Sequence, residues 1–169
     1  MADCPATSFQ LHLSAIDQTS GIAYNIITVM YEIVVDTNVL VASLRSRRGA
    51  SFRLLSLLDS EKFKLSVSVP LVLEYEDAAQ RLVGEIPLTK NDIDDVLDYI
   101  CTKANHRKIY YLWRPFLKDH KDDMVLELAV ASRCDFIVTY NKNDFKGVES
   151  FGLRAVTARE FLKEIGELP

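Results

Sequence analysis

Three apolar β-branched residues in a row, Ile33-Val34-Val35, run directly into an aspartate, Asp36. A run without polar alternation suits a strand covered on both faces, and such strands belong to parallel sheets packed between helices. The pattern returns in Phe136-Ile137-Val138-Thr139, again apolar and again closed by a polar residue. Elsewhere the period is mostly helical. Asn38 to Leu44 and Ser51 to Leu58 have helical spacing and flank Arg45-Ser46-Arg47-Arg48-Gly49. Phe63 to Val69 alternates as a strand does, and Pro70 suits the first turn of a helix running to Val83. Thr89 starts a helix with Ile93, Val96, Leu97 and Ile100 on its apolar stripe, and Ile109 to Leu112 reads as a short strand. Asp122 or Asp123 opens a helix that is apolar nearly all round from Met124 to Ala131, the mark of a buried helix. Arg154 to Val156 is a last strand, and Thr157 caps a final amphipathic helix carrying Phe161, Leu162 and Ile165. This alternation predicts an α/β protein, a three-layer α/β/α arrangement around a mainly parallel central sheet.

Residues 1–29 stand apart. They contain no Lys or Arg and show no clear period up to Gly21, so they are expected to form an N-terminal extension to a domain spanning 30–169. With 24 acids against 20 bases the net charge is −4, the opposite of a protein that coats duplex DNA indiscriminately; any nucleic-acid contact must come from a local basic patch. Cys4, Cys101 and Cys134 are widely separated, and an odd number without C-x-x-C argues against a disulfide framework and against zinc. His12, His106 and His120 also lack metal-ligand spacing. The most apolar stretch, Ile22 to Val35, is interrupted by Asn25, Thr28 and Glu32 and falls short of the ~20 residues a membrane helix needs. Asp3 and the lack of early basic residues argue against a signal peptide. A reducing cytoplasm with no membrane contact is the expected setting.

In a doubly wound sheet, ligands bind beyond the carboxyl ends of the strands. Four acids from distant stretches fall there: Asp36 after the first strand, Glu74 early in the helix after the second, Asp123 at the start of the near-apolar helix, and Asp144 past Thr139. Each alone is explained as a helix cap or a solvated charge, since acids are favoured near helix N-termini. Together they are tolerated best around a hard cation, and an all-oxygen donor set suits Mg2+ or Mn2+ rather than zinc.

These residues carry a resemblance. Val34-Val-Asp-Thr-Asn-Val-Leu-Val-Ala42 resembles the opening motif of the PIN-domain nucleases. Ser68 to Tyr75 resembles their serine-to-glutamate segment, Lys121 to Ala131 the third acidic motif, and Phe136 to Phe145 the closing motif. Together they cover the chain from Tyr31 to Ile165, and the likeness is greatest to the bacterial toxin components of toxin–antitoxin pairs. The resemblance implies a metal-dependent endoribonuclease in which Asp36, Glu74 and Asp123 ligate Mg2+ or Mn2+, with Asn38 and Thr139 as supporting polar groups. It favours Glu74 over Glu76, and Asp123 over Asp122. It also implies a homodimer and a cognate antitoxin. The chain departs from the family pattern at Asn141, where many relatives carry an acid; Asp144 is the acid placed to take over, or to play a structural part. RNA contact is expected from Arg45, Arg47, Arg48 and Arg53, with Lys103, Arg107, Lys108, Tyr110 and Tyr111 as a second patch.

Two other enzyme classes fit less well. A phosphohydrolase with Asp36 as nucleophile needs an acid two residues on, where this chain has Asn38. A P-loop fails because Leu153-Arg154 follows Gly147 and Gly152 in place of Lys-Ser/Thr. A catalytically silent PIN module that binds RNA or a protein partner is the alternative of a different class.

Overall fold

The computed structural model describes residues 30–110, 116–119 and 121–169. Expectations for residues 1–29, for Tyr111 and Leu112 and for His120 lie outside these. Tyr31–Pro169 forms one compact unit. Its sheet has five strands, β1 (Tyr31–Val35), β2 (Phe63–Val67), β3 (Asn105–His106), β4 (Phe136–Val138) and β5 (Arg154–Val156), in the order β3-β2-β1-β4-β5. All four pairings are parallel. Among the described residues, six α-helices complete the α/β/α layers: α1 (Thr37–Arg45), α2 (Ala50–Ser56), α3 (Val69–Gln80), α4 (Lys90–Lys103), α5 (Asp123–Ala131) and α6 (Ala158–Glu164).

The central strand is the one with the unbroken apolar run. Ile33, Val34 and Val35 are buried on both faces, between β2 and β4 in the plane of the sheet. Helix α5 packs across β1, β2 and β4, which is why its sequence lacks a polar face. On the amino side of the sheet, Tyr31, Phe63 and Phe136 meet Phe161 of α6 edge-to-face at 5.3–6.2 Å between ring centres. Such pairs contribute about 0.5–1.5 kcal/mol each beyond the area they bury. Thr89 and Thr157 each start their helix with a capping box, to Asp92 and Glu160 respectively.

One strand lies elsewhere than the hydropathy pattern predicts. Ile109 and Tyr110 are in no regular element, and the edge strand is Asn105–His106. Polar groups make this pairing. Asn105 and His106 lie opposite Ser66 and Val67, Asn105 Nδ2 donates to Glu32 Oε1 at 2.8 Å, and Arg107 N–H donates to the Val67 carbonyl at 2.8 Å.

Candidate active site at the carboxyl edge of the sheet

From β1 the chain crosses to β2 on one side, and from β4 to β5 on the other. The adjacent β1 and β4 therefore flank the point where the winding reverses, and a crevice opens beyond their carboxyl ends. Asp36 follows β1 and Thr139 follows β4. Asp36 occupies the N-cap position of α1, yet its carboxylate makes no capping hydrogen bond. Instead Oδ2 accepts from Thr139 Oγ1 and from Asn38 Nδ2, both at 2.6 Å. Asn38 Nδ2 also reaches Thr139 Oγ1 at 3.1 Å, Asn38 Oδ1 accepts the Tyr140 N–H at 3.1 Å, and Thr139 Oγ1 accepts the Asn141 N–H at 2.9 Å. Asn38 and Thr139 thus tie the ends of β1 and β4 together through one carboxylate oxygen. The buried Tyr75 donates its hydroxyl to the Val35 carbonyl, fixing α3 to the end of β1 and Glu74 with it.

The acids placed at this edge act on one another through their charges. Asp36 is 6% exposed. Burial pushes its carboxyl above the usual range, and the Thr139 and Asn38 hydrogen bonds partly offset this. Burial likewise raises Glu74, with the Asp36 charge adding to it, while Thr37 and Lys121 act in the opposite direction. The largest effect falls on Asp122. Burial, followed by the charges of Asp36, Asp119, Asp144 and Glu74, pushes it up to about 7. Asp122 sits at the N-cap position of α5 and makes no capping hydrogen bond.

Asp123 has a different environment. It is 1% exposed, and its Oδ1 accepts the N–H groups of Leu117 at 2.9 Å and Phe116 at 3.3 Å. The carboxylate anchors the segment before α5 to that helix. The charges of Asp36, Glu74 and Asp144 act on Asp122, whereas motif spacing favours its neighbour Asp123. Asp144 is half-buried and contributes to the field on Asp122, while Asn141 is exposed. The arginines expected at the site do not form one patch around it. Arg45 pairs with Glu85 at 3.0 Å and Arg53 with Glu167 at 2.7 Å. Arg47 lines a cleft with Leu88, Val96 and Tyr99, and Arg48 is exposed in the loop between α1 and α2. In the second patch, Lys103 pairs with Asp59, whereas Arg107, Lys108 and Tyr110 border a separate cleft beside α5.

Among the described residues, no group of three or more His, Cys, Asp or Glu side chains is placed to hold a metal ion by itself. The donors still fit a hydrated hard cation. Mg2+ keeps several waters and needs only one or two carboxylates. Burial raises the carboxyls of Asp36, Glu74 and Asp122, and neighbouring negative charge adds to this at Glu74 and Asp122, a strain that a cation relieves. Ser68 Oγ, at the start of α3 on the same edge, is buried with no hydrogen-bond partner among the described residues, and a hydrated ion is one way to satisfy it.

Comparison with known proteins gives a family and a fold. Residues 32–143 match the model of a family described as the PIN domain. A solved structure, VapBC2 from Rickettsia felis bound to a DNA fragment from its promoter, contains a chain of similar fold. The TM-score is 0.52 at 14% identity, covering 73% of this chain and 98% of that one. No curated protein matches the sequence significantly.

Proposed function

Since the chain belongs to the PIN-domain family, a family of nucleases, we propose that it is a Mg2+- or Mn2+-dependent endoribonuclease acting on single-stranded RNA, the toxin of a type II toxin–antitoxin pair. The observation that carries this reading is Asp36 at the switch point of the sheet, oriented by Asn38 and Thr139, with Glu74 and Asp122 near enough for its charge to act on both. When bound, the cation supplies Lewis-acid polarisation of a phosphate oxygen and a water of lowered pKa for in-line attack on phosphorus. One or two of Asp36, Glu74 and Asp122 would hold it directly and the others through its waters, with Asp144 as a further negative charge nearby. Asn38 and Thr139 keep the Asp36 carboxylate in one orientation. Asp122 would have to give up its proton to solvent to hold a cation, so affinity would rise with pH. Asp123 anchors the segment before α5 through the Leu117 and Phe116 N–H groups. Cleavage of a mixed RNA pool with Mn2+, compared with EDTA, tests the reading; an inert protein under both conditions contradicts it.

A cognate antitoxin and a homodimer are part of the same proposal, as is a cytoplasmic setting. The likeness to a VapBC complex supports the partner, and no described helix is long and apolar enough to cross a membrane. A second reading, a silent module that binds RNA without cutting it, is favoured by Asn141, a neutral residue where many relatives carry an acid. Binding without metal-dependent cleavage distinguishes it.

A further inference from the structure

Tyr140 follows Thr139 at the rim of the acidic centre, yet its side chain is 47% exposed. Both ends of the residue are fixed. Its N–H donates to Asn38 Oδ1 at 3.1 Å, and Asn38 in turn donates to the Asp36 carboxylate. Its hydroxyl is hydrogen-bonded at 2.7 Å to that of Ser51, which is 1% exposed in the first turn of α2. The exposed ring therefore bridges two places: the acidic centre, and the start of α2 just after the loop carrying Arg47 and Arg48. Core packing does not explain an aromatic ring left this open. A ring held at both ends loses little conformational freedom when something stacks on it.

We propose that Tyr140 is a stacking platform for an unpaired nucleobase next to the scissile phosphate. This rests on the nuclease reading and adds to it a contact with the substrate's base. A strand running from the Arg47–Arg48 loop to the acidic centre passes over this ring. Its phosphates meet the exposed arginine loop and one splayed base lies on the phenol, a mode that suits single strands and tolerates different bases. A base held in a duplex cannot reach the ring, so the platform also selects against duplexes. Ser51 is a positioning residue: it touches the ring's hydroxyl, not the substrate.

The test is binding of a short fluorescent single-stranded RNA to the full chain in EDTA, where cleavage does not compete, and then cleavage of the same RNA with Mn2+. Tyr140→Ala is expected to bind about 5- to 150-fold more weakly, while Tyr140→Phe, which keeps the ring, retains most of the affinity. An RNA series lacking one base at a time should contain one abasic position that costs the wild type a similar factor and costs Tyr140→Ala nothing. Melting temperatures confirm that each variant is folded. If Tyr140→Ala binds and responds to the abasic series as the wild type does, or Tyr140→Phe falls as far as Tyr140→Ala, the platform is overturned and the nuclease reading stands. If the base-dependent loss appears without cleavage, the platform is supported and the nuclease reading fails. A wild type that binds no single-stranded RNA overturns both.

Discussion

At Asp122, burial and four neighbouring carboxylates act in one direction, and the group is pushed up to about 7. A carboxyl with a raised folded pKa favours the fold at low pH, and this contribution disappears as pH rises from the usual carboxylate value through about 7. In EDTA, the wild type should therefore lose melting temperature between about pH 4 and pH 7 relative to Asp122→Asn. Excess Mn2+ should remove much of that difference in the wild type alone. A difference that is flat with pH would show that Asp122 is not crowded. Asp123 matters through its hydrogen bonds. Asp123→Ala leaves the Leu117 and Phe116 N–H groups without their acceptor and should cost about 1–3 kcal/mol in denaturant unfolding. The two residues are adjacent in sequence but about 100° apart around a helix of 3.6 residues per turn. Motif spacing counts residues and does not resolve which carboxylate faces the cleft. Asp36 and Thr139 are legible because each stands just past a strand end, and Asn38 because it lies in the first turn of the helix that follows at once, so their positions follow from topology.

Elements were read well where the apolar pattern causes them. β1, β4 and α5 are largely buried, and their sequences are apolar nearly throughout. β3 was missed because Asn105 and His106 are held by ladder and side-chain hydrogen bonds, which leave no hydropathic trace. The cap of α6 was legible from Thr157 and Glu160 three residues apart. Thr157→Ala should cost about 0.5–2 kcal/mol of stability and leave RNA cleavage per folded molecule unchanged; a loss of cleavage at full folding would tie α6 to the site. The loop between α1 and α2 bears on substrate rather than stability. Replacing Arg47 and Arg48 with Ala should lower RNA affinity and flatten its dependence on salt, by about one unit of slope for each phosphate the protein no longer neutralises. An unchanged slope would remove this loop from the RNA path, and with it the route that brings a strand over Tyr140.

For the whole molecule, the alternation of strand and helix determines more than any single motif. Parallel strands need crossovers, crossovers place helices on both faces, and the reversal between β1 and β4 leaves one crevice edge on which acids can gather. Tyr31–Pro169 contains every residue placed at that edge, so a chain starting at Met30 should fold and cleave RNA as the full chain does. Loss of the cooperative melting transition in that shorter chain would show that residues 1–29 complete the fold. The central claim is that Asp36, Glu74 and Asp122 hold a divalent cation for RNA cleavage, and melting of the wild type and Asp36→Asn in EDTA and in Mn2+ tests it most directly. At neutral pH, Asp36→Asn should melt at or above the wild type in EDTA, because a buried carboxylate of raised pKa has been neutralised. In Mn2+ the wild type should rise and the variant should not. A variant that melts lower in EDTA and still gains as much from Mn2+ as the wild type would contradict the account.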